Sequence, residues 1–178
     1  MITARQKRKE NIVEYLLYMW QVEDMIRACR LDMDIMEERI ISKYDQSEEA
    51  KREIRMWYQE LAEMMRTEGV TKKGHVQINR NVMAEVTDLH HRLLRDPQET
   101  IYNSLYYQTL PAIVQLRAKS GGSDAVSEIE TCLTAIYGFL LLKMQGKAIS
   151  VETQDGIKQI SHFLAFLAFR FHEEENLS

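Results

Sequence analysis

Glu23 stands where an aliphatic side chain belongs. At ~100° per residue, Ile12, Leu16, Met19, Glu23 and Ile26 share one helical stripe, with Leu17 and Trp20 on one flank and Tyr15, Val22 and Cys29 on the other. A carboxylate inside an apolar arc is costly unless something meets it. Arg27, four residues on, offers an acid-before-base pair along the helix, and Arg30 lies two turns beyond Glu23. Two readings follow. In one, Glu23 and Arg27 form an ionised structural pair that sets how helices pack, so that Glu23→Gln lowers stability and Arg27→Met recovers part of the loss. In the other, Glu23, Arg27 and Trp20, together with His90, belong to a small-ligand pocket.

The histidines offer less. Asp88-Leu89-His90-His91 places an acid three residues before His91, but helical di-metal sites need that motif twice, plus carboxylates from two more helices. It occurs once here, so no metal site and no cofactor is expected. His90 reads as a boundary residue with one satisfied nitrogen. The stretch Gly69-Val-Thr-Lys72-Lys73-Gly74-His75 has a phosphate loop's glycine spacing, but His75 replaces the lysine and a helix precedes it. Lys72 and Lys73 remain anion-binding candidates beside a helix start. Glu37-Glu38 and Glu48-Glu49 lie at helix starts, where acids serve capping, and read as solvated. No catalytic residue can be assigned.

Around these residues the pattern is helical throughout. A helix over about Arg5–Arg30 is followed by one capped at Asp32 or Asp34, with Ile35 and Ile40 facing inward. Ser47 or Asp45 opens a third, with an inner stripe of Ile54, Trp57, Leu61 and Met64 and a stop at Gly69. Residues 70–78 form a loop with at most a minimal hairpin. The fourth helix carries Ile78, Val82, Val86, Leu89 and Leu93. Asp96-Pro97-Gln98-Glu99 spells an N-cap, a first-turn proline and a capping-box acid. Pro111 predicts a kink or break in the fifth. Asp124 caps a sixth with Ile129, Leu133, Ile136, Leu140 and Met144 inward, and Gly146 ends it. Ser150 opens a seventh, whose Phe163–Phe171 segment holds four of the chain's five Phe. That segment is expected to be wrapped mostly by its own domain, with the remainder forming a homodimer contact.

Composition narrows the function classes. With 178 residues, 45% hydrophobic and 28% charged, the chain suits one globular domain over 1–178. A net charge of −4 gives no general attraction to nucleic acid or anionic membrane. The longest uncharged apolar run, Phe163–Phe169, is too short to cross a bilayer, which needs ~20 residues. Cys29 and Cys132 form no metal or disulfide pattern, and a cytoplasmic location is expected.

The segments Tyr15–Arg27, Gly74–Asn79 and Asp88-Leu-His90 resemble an uncharacterised bacterial family, found mainly in gut Bacteroidetes, of all-helical proteins of similar length known as a domain of unknown function. The resemblance implies a soluble bacterial protein and no assigned activity. The expected fold is all-α: a single-domain antiparallel bundle of six to seven helices. The expected function is an interaction or assembly module that binds itself or a protein partner, with a ligand-binding or enzymatic domain around Glu23 and Arg27 as the alternative.

Overall fold

The computed structural model describes residues 2–119 and 126–177 and is all-helical. Among those residues there are eight α-helices rather than six or seven: α1 (Ile2–Glu10), α2 (Ile12–Ala28), α3 (Met33–Arg39), α4 (Glu48–Thr67), α5 (Gln77–Arg95), α6 (Thr100–Lys119), α7 (Glu128–Met144) and α8 (Val151–Leu177). A single 3₁₀ turn spans Ile41–Lys43. No strand occurs among the described residues, so the loop after α4 contains no hairpin. The expected cap at Asp124 lies outside the described residues.

The extra helix arises at Asn11. Its side-chain oxygen accepts from the Val13 N–H at 3.0 Å, an N-cap contact that starts α2 afresh and interrupts the helix expected over Arg5–Arg30. Asp32 caps α3 by accepting from the Asp34 and Ile35 N–H groups, and Ser47 caps α4 through the Ala50 N–H. Gly69 and Gly146, with φ of 71° and 66°, end α4 and α7. In each case the residue after the glycine donates back five residues and the glycine donates back three, the Schellman pattern.

Other local expectations give way. Met36 and Ile41 are buried in place of Ile35 and Ile40, and Tyr58 and Met65 lie deeper than Trp57 and Met64. Ile78 is exposed because Asn79 takes the inward position at the start of α5. Asp96-Pro97-Gln98-Glu99 is a turn, with Asp96 accepting from the Gln98 N–H at 2.8 Å, and α6 begins only at Thr100. Glu99 reaches Arg170 of α8 at 2.5 Å instead of folding back. Glu37 accepts from Arg55 of α4 at 2.7 Å and is not merely solvated. Pro111 leaves α6 unbroken. It lies on an exposed stretch, where the Tyr107 carbonyl that loses its i+4 donor can turn to water.

The chain divides into two compact units, one of Met1–Glu10 with Glu14–Asn81 and the other of Asn11–Val13 with Val82–Ser178. In the first, α3, the 3₁₀ turn and α4 pack together, and Tyr44 and Tyr58 share a hydroxyl contact of 3.3 Å. Burial pushes the Tyr18 and Tyr58 phenols well above their ordinary value. In the second, α8 packs mainly on α6 and also on α7. Phe163, Leu164, Leu167 and Ala168 are buried there, whereas Phe169 is exposed. In α7, Ile129, Cys132 and Leu133 are buried, but the expected inward positions Leu140 and Met144 are exposed.

The corner between α2 and α3 uses a costly backbone. Arg30 and Leu31 both lie in the left-handed region, at φ 57° and 59°. Arg30 donates to the Arg27 carbonyl and Leu31 to that of Ile26, so an arginine occupies the place glycine usually takes. Leu31 is held there by its buried side chain and by Arg66, whose Nη2 donates to the Leu31 carbonyl at 2.6 Å. An L-residue in this region costs roughly 1–2 kcal/mol, and glycine's extra unfolded freedom offsets about 0.5–1 of any gain. Arg30→Gly should therefore stabilise the protein by about 0.5–1 kcal/mol in urea unfolding. Leu31→Gly should destabilise it, because it gives up a buried side chain worth roughly 1.5–3 kcal/mol.

Candidate functional site

Glu23 is fully buried, and what meets it is the start of α5. Val76, the residue just before that helix, donates its backbone N–H to Glu23 Oε1 at 3.0 Å. Asn79 Nδ2 donates to the same oxygen at 2.8 Å. His75 donates from Nδ1 to Oε2 at 2.5 Å. Valine is a poor N-cap because it has no acceptor. Glu23 does the capping from α2 and places its charge at the positive end of the α5 dipole. A second carboxylate completes the arrangement: Glu68, just past α4, accepts from the Gln77 N–H at 2.5 Å. A helix start whose cap residue has no acceptor thus borrows two from elsewhere in the chain.

Arg27 forms the i,i+4 ion pair with Glu23 that its spacing implies, but only at long range, and it does more besides. Its nearest approach to Glu23 is 3.9 Å, to Oε2. Its better bonds go to Asp24 at 2.8 Å, to the Val70 carbonyl at 3.2 Å and to the Gly74 carbonyl. Arg27 is therefore a clamp on the loop that carries His75. Arg30 turns away in the left-handed corner and is exposed. Trp20 is buried and stacks flat on the His75 ring, with centroids 4.3 Å apart and planes 13° apart. Tyr15, also buried, points its hydroxyl at Asn79 Oδ1 at 3.5 Å. Lys72 and Lys73 are exposed on the same loop. The Val76 and Gln77 N–H groups behind them are already taken by Glu23 and Glu68.

Of the sequence candidates, Glu23, Arg27 and Trp20 come together. His90 lies in the other compact unit, and it is no boundary residue. It is buried, and both ring nitrogens have partners. The Tyr102 hydroxyl donates to Nδ1 at 2.6 Å, and Nε2 faces Glu128 Oε2 at 3.4 Å. Tyr106 donates to that same Glu128 oxygen at 2.9 Å. Phe163 meets the imidazole edge-on, with His91 tilted beside it. The chain Tyr102–His90–Glu128–Tyr106 ties α5, α6 and the first turn of α7 into one network. Burial holds His90 below the usual imidazole value, against the opposing pull of Glu128. It pushes the Tyr106 phenol and the Cys132 thiol each up to about 12. A phenol and thiol so disposed are poor nucleophiles, and the network reads as core. Among the described residues, no three or more His, Cys, Asp or Glu side chains are placed to hold a metal ion. No helix there is long and apolar enough to cross a membrane.

Sequence reasoning missed His75, Asn79, Tyr102 and Glu128. The one available signal was local: Val76 leaves α5 without a cap of its own, which implies an acceptor from outside.

Three outcomes are expected. Glu23→Ala strands the Val76 N–H, Asn79 and His75, and should lower stability by about 3–5 kcal/mol. Arg27→Met should add to the loss from Glu23→Gln instead of relieving it, since Arg27 holds loop carbonyls; a double-mutant denaturation cycle decides. For His90 the sign is also fixed. Its folded-state value lies below its unfolded value of about 6.5, so its contribution is full above that pH and is lost as pH falls through the folded value. Melting temperature should drop on acidification from about pH 7 to about pH 5, and drop less in His90→Gln.

No curated protein and no solved structure matches the chain. A family model described as a domain of unknown function, DUF4924, matches residues 1–177. The match takes in both compact units and every side chain described above, and the chain belongs to the DUF4924 family.

Proposed function

We propose that the chain is an interaction module that pairs with a second copy of itself through the end of α7, the turn after it and the start of α8. One observation carries this reading: the apolar surface left uncovered at that tip. Residues 140–148 are all exposed, so the last turn of α7 meets solvent on every face. Leu140, Leu141 and Leu142 are 42%, 37% and 37% exposed, Met144 74% and Val151 73%. A helix end with four exposed large apolar side chains calls for a covering surface. The aromatic segment of α8 offers less, because only Phe169 among its Phe residues is fully open.

The charges around the tip favour a second copy over another partner. Lys143 and Lys147 lie on the α7 side, Glu152 and Asp155 on the α8 side, and all four are exposed. A two-fold axis through the tip sets the basic half of one molecule on the acidic half of the other, as a self-complementary interface requires. The ligand-pocket alternative around Glu23 and Arg27 has weaker support, because both Glu23 oxygens are bonded and sealed from solvent.

Light scattering over a concentration series should give a mass rising toward twice the 21.0 kDa of one chain. Leu141→Glu with Met144→Glu should return it to one chain without lowering the melting temperature. Lys143→Glu with Lys147→Glu should abolish pairing, and so should Glu152→Lys with Asp155→Lys. Mixing the two charge-reversed proteins should restore it. A wild-type chain that stays monomeric throughout overturns the proposal.

A further inference from the structure

His75 is held in a way that the closed surroundings of Glu23 do not require. Its Nδ1–H is directed at a fully buried carboxylate 2.5 Å away, and Trp20 fixes the ring plane by stacking. The side chain is 28% exposed. Nε2 has no hydrogen bond among the described residues and is not among their buried polar atoms without partners, so it opens to solvent. With Nδ1 carrying the hydrogen toward Glu23, the lone pair of the neutral ring sits on Nε2. A carboxylate that fixes the tautomer and leaves the opposite nitrogen free is the arrangement that makes an imidazole a directed acceptor.

We propose that His75 Nε2 is a phosphoryl acceptor, positioned by Glu23 and Trp20 and charged from a donor of the phosphoramidate class. The inference is independent of self-association. In the transfer, the Nε2 lone pair forms a bond to phosphorus while the donor's P–N bond breaks and its electron pair leaves with the amine. From inorganic phosphoramidate, in which the amine is protonated, ammonia departs and no further proton moves. The ring keeps its Nδ1 hydrogen and becomes cationic, and Glu23 stands opposite that new charge. Glu23 is thus a positioning residue. A phosphoryl group is favoured over a neutral acyl group because the same loop carries Lys72 and Lys73, both exposed.

The test uses the whole chain and inorganic phosphoramidate, with the label mapped by mass spectrometry and its ring position read by phosphorus NMR. His91, His162 and His172 are exposed and serve as references within the same molecule. His75 should be labelled at Nε2 about tenfold faster than any of them. Lys72→Ala with Lys73→Ala should slow His75 alone, with the melting temperature unchanged. Glu23→Gln, where it remains folded, should bring His75 down to the reference rate. Labelling of His75 at or below the reference rate in the wild-type chain, or label on Nδ1, overturns the proposal. Neither result depends on a variant folding.

Discussion

The start of α5 cannot satisfy its own backbone, and much of the first compact unit is arranged around that deficit. A helix begins with N–H groups that lack intrahelical partners, and Val76 brings no acceptor to them. The two oxygens that answer come from Glu23, in the middle of α2, and Glu68, just beyond α4. The cost of burying Glu23 is offset by three direct donors and by the helix dipole it faces. Arg27 then anchors the intervening loop by its carbonyls, and Trp20 holds the imidazole that fills the remaining acceptor site.

The second unit buries a histidine where the first buries an acid. His90 reaches the interior because Tyr102 and Glu128 use both its nitrogens, and Tyr106 gives Glu128 a further donor. Desolvation favours the neutral ring. The two buried histidine–carboxylate contacts therefore differ in kind. At His75 the acid is sealed and the ring opens outward. At His90 the ring is sealed and the acid is partly exposed.

How much of this could be read from the sequence depended on how far each signal reached along the chain. Caps at Asp32 and Ser47 and stops at Gly69 and Gly146 act within a turn of themselves, and they stand where their residue types imply. Asp96-Pro97-Gln98-Glu99 is also local, yet the same residues suit a turn, and Arg170 of α8 draws Glu99 away from the capping box. Glu23 was visible as an anomaly, but its partners lie more than fifty residues further on, beyond any helical period. Periodicity located the stripes of α4 and α5 to within one residue; packing then chose Tyr58 over Trp57 and Asn79 over Ile78. For the end of α7 the pattern was apolar and the expected burial did not follow, because periodicity cannot tell what lies opposite a face.

Pro111 bears on which surfaces this molecule can bury. The Tyr107 carbonyl, deprived of its helical donor, stays satisfied as long as solvent reaches it. Tyr107 and Val114 lie nearby on α6, 64% and 57% exposed, and by apolar character alone they would invite a partner. Any dry surface laid over them would have to supply a hydrogen-bond donor at that point or leave the carbonyl orphaned, a penalty of about 1–3 kcal/mol. The proline thus keeps one side of α6 wet and steers association toward parts of the surface where no backbone group is owed a partner.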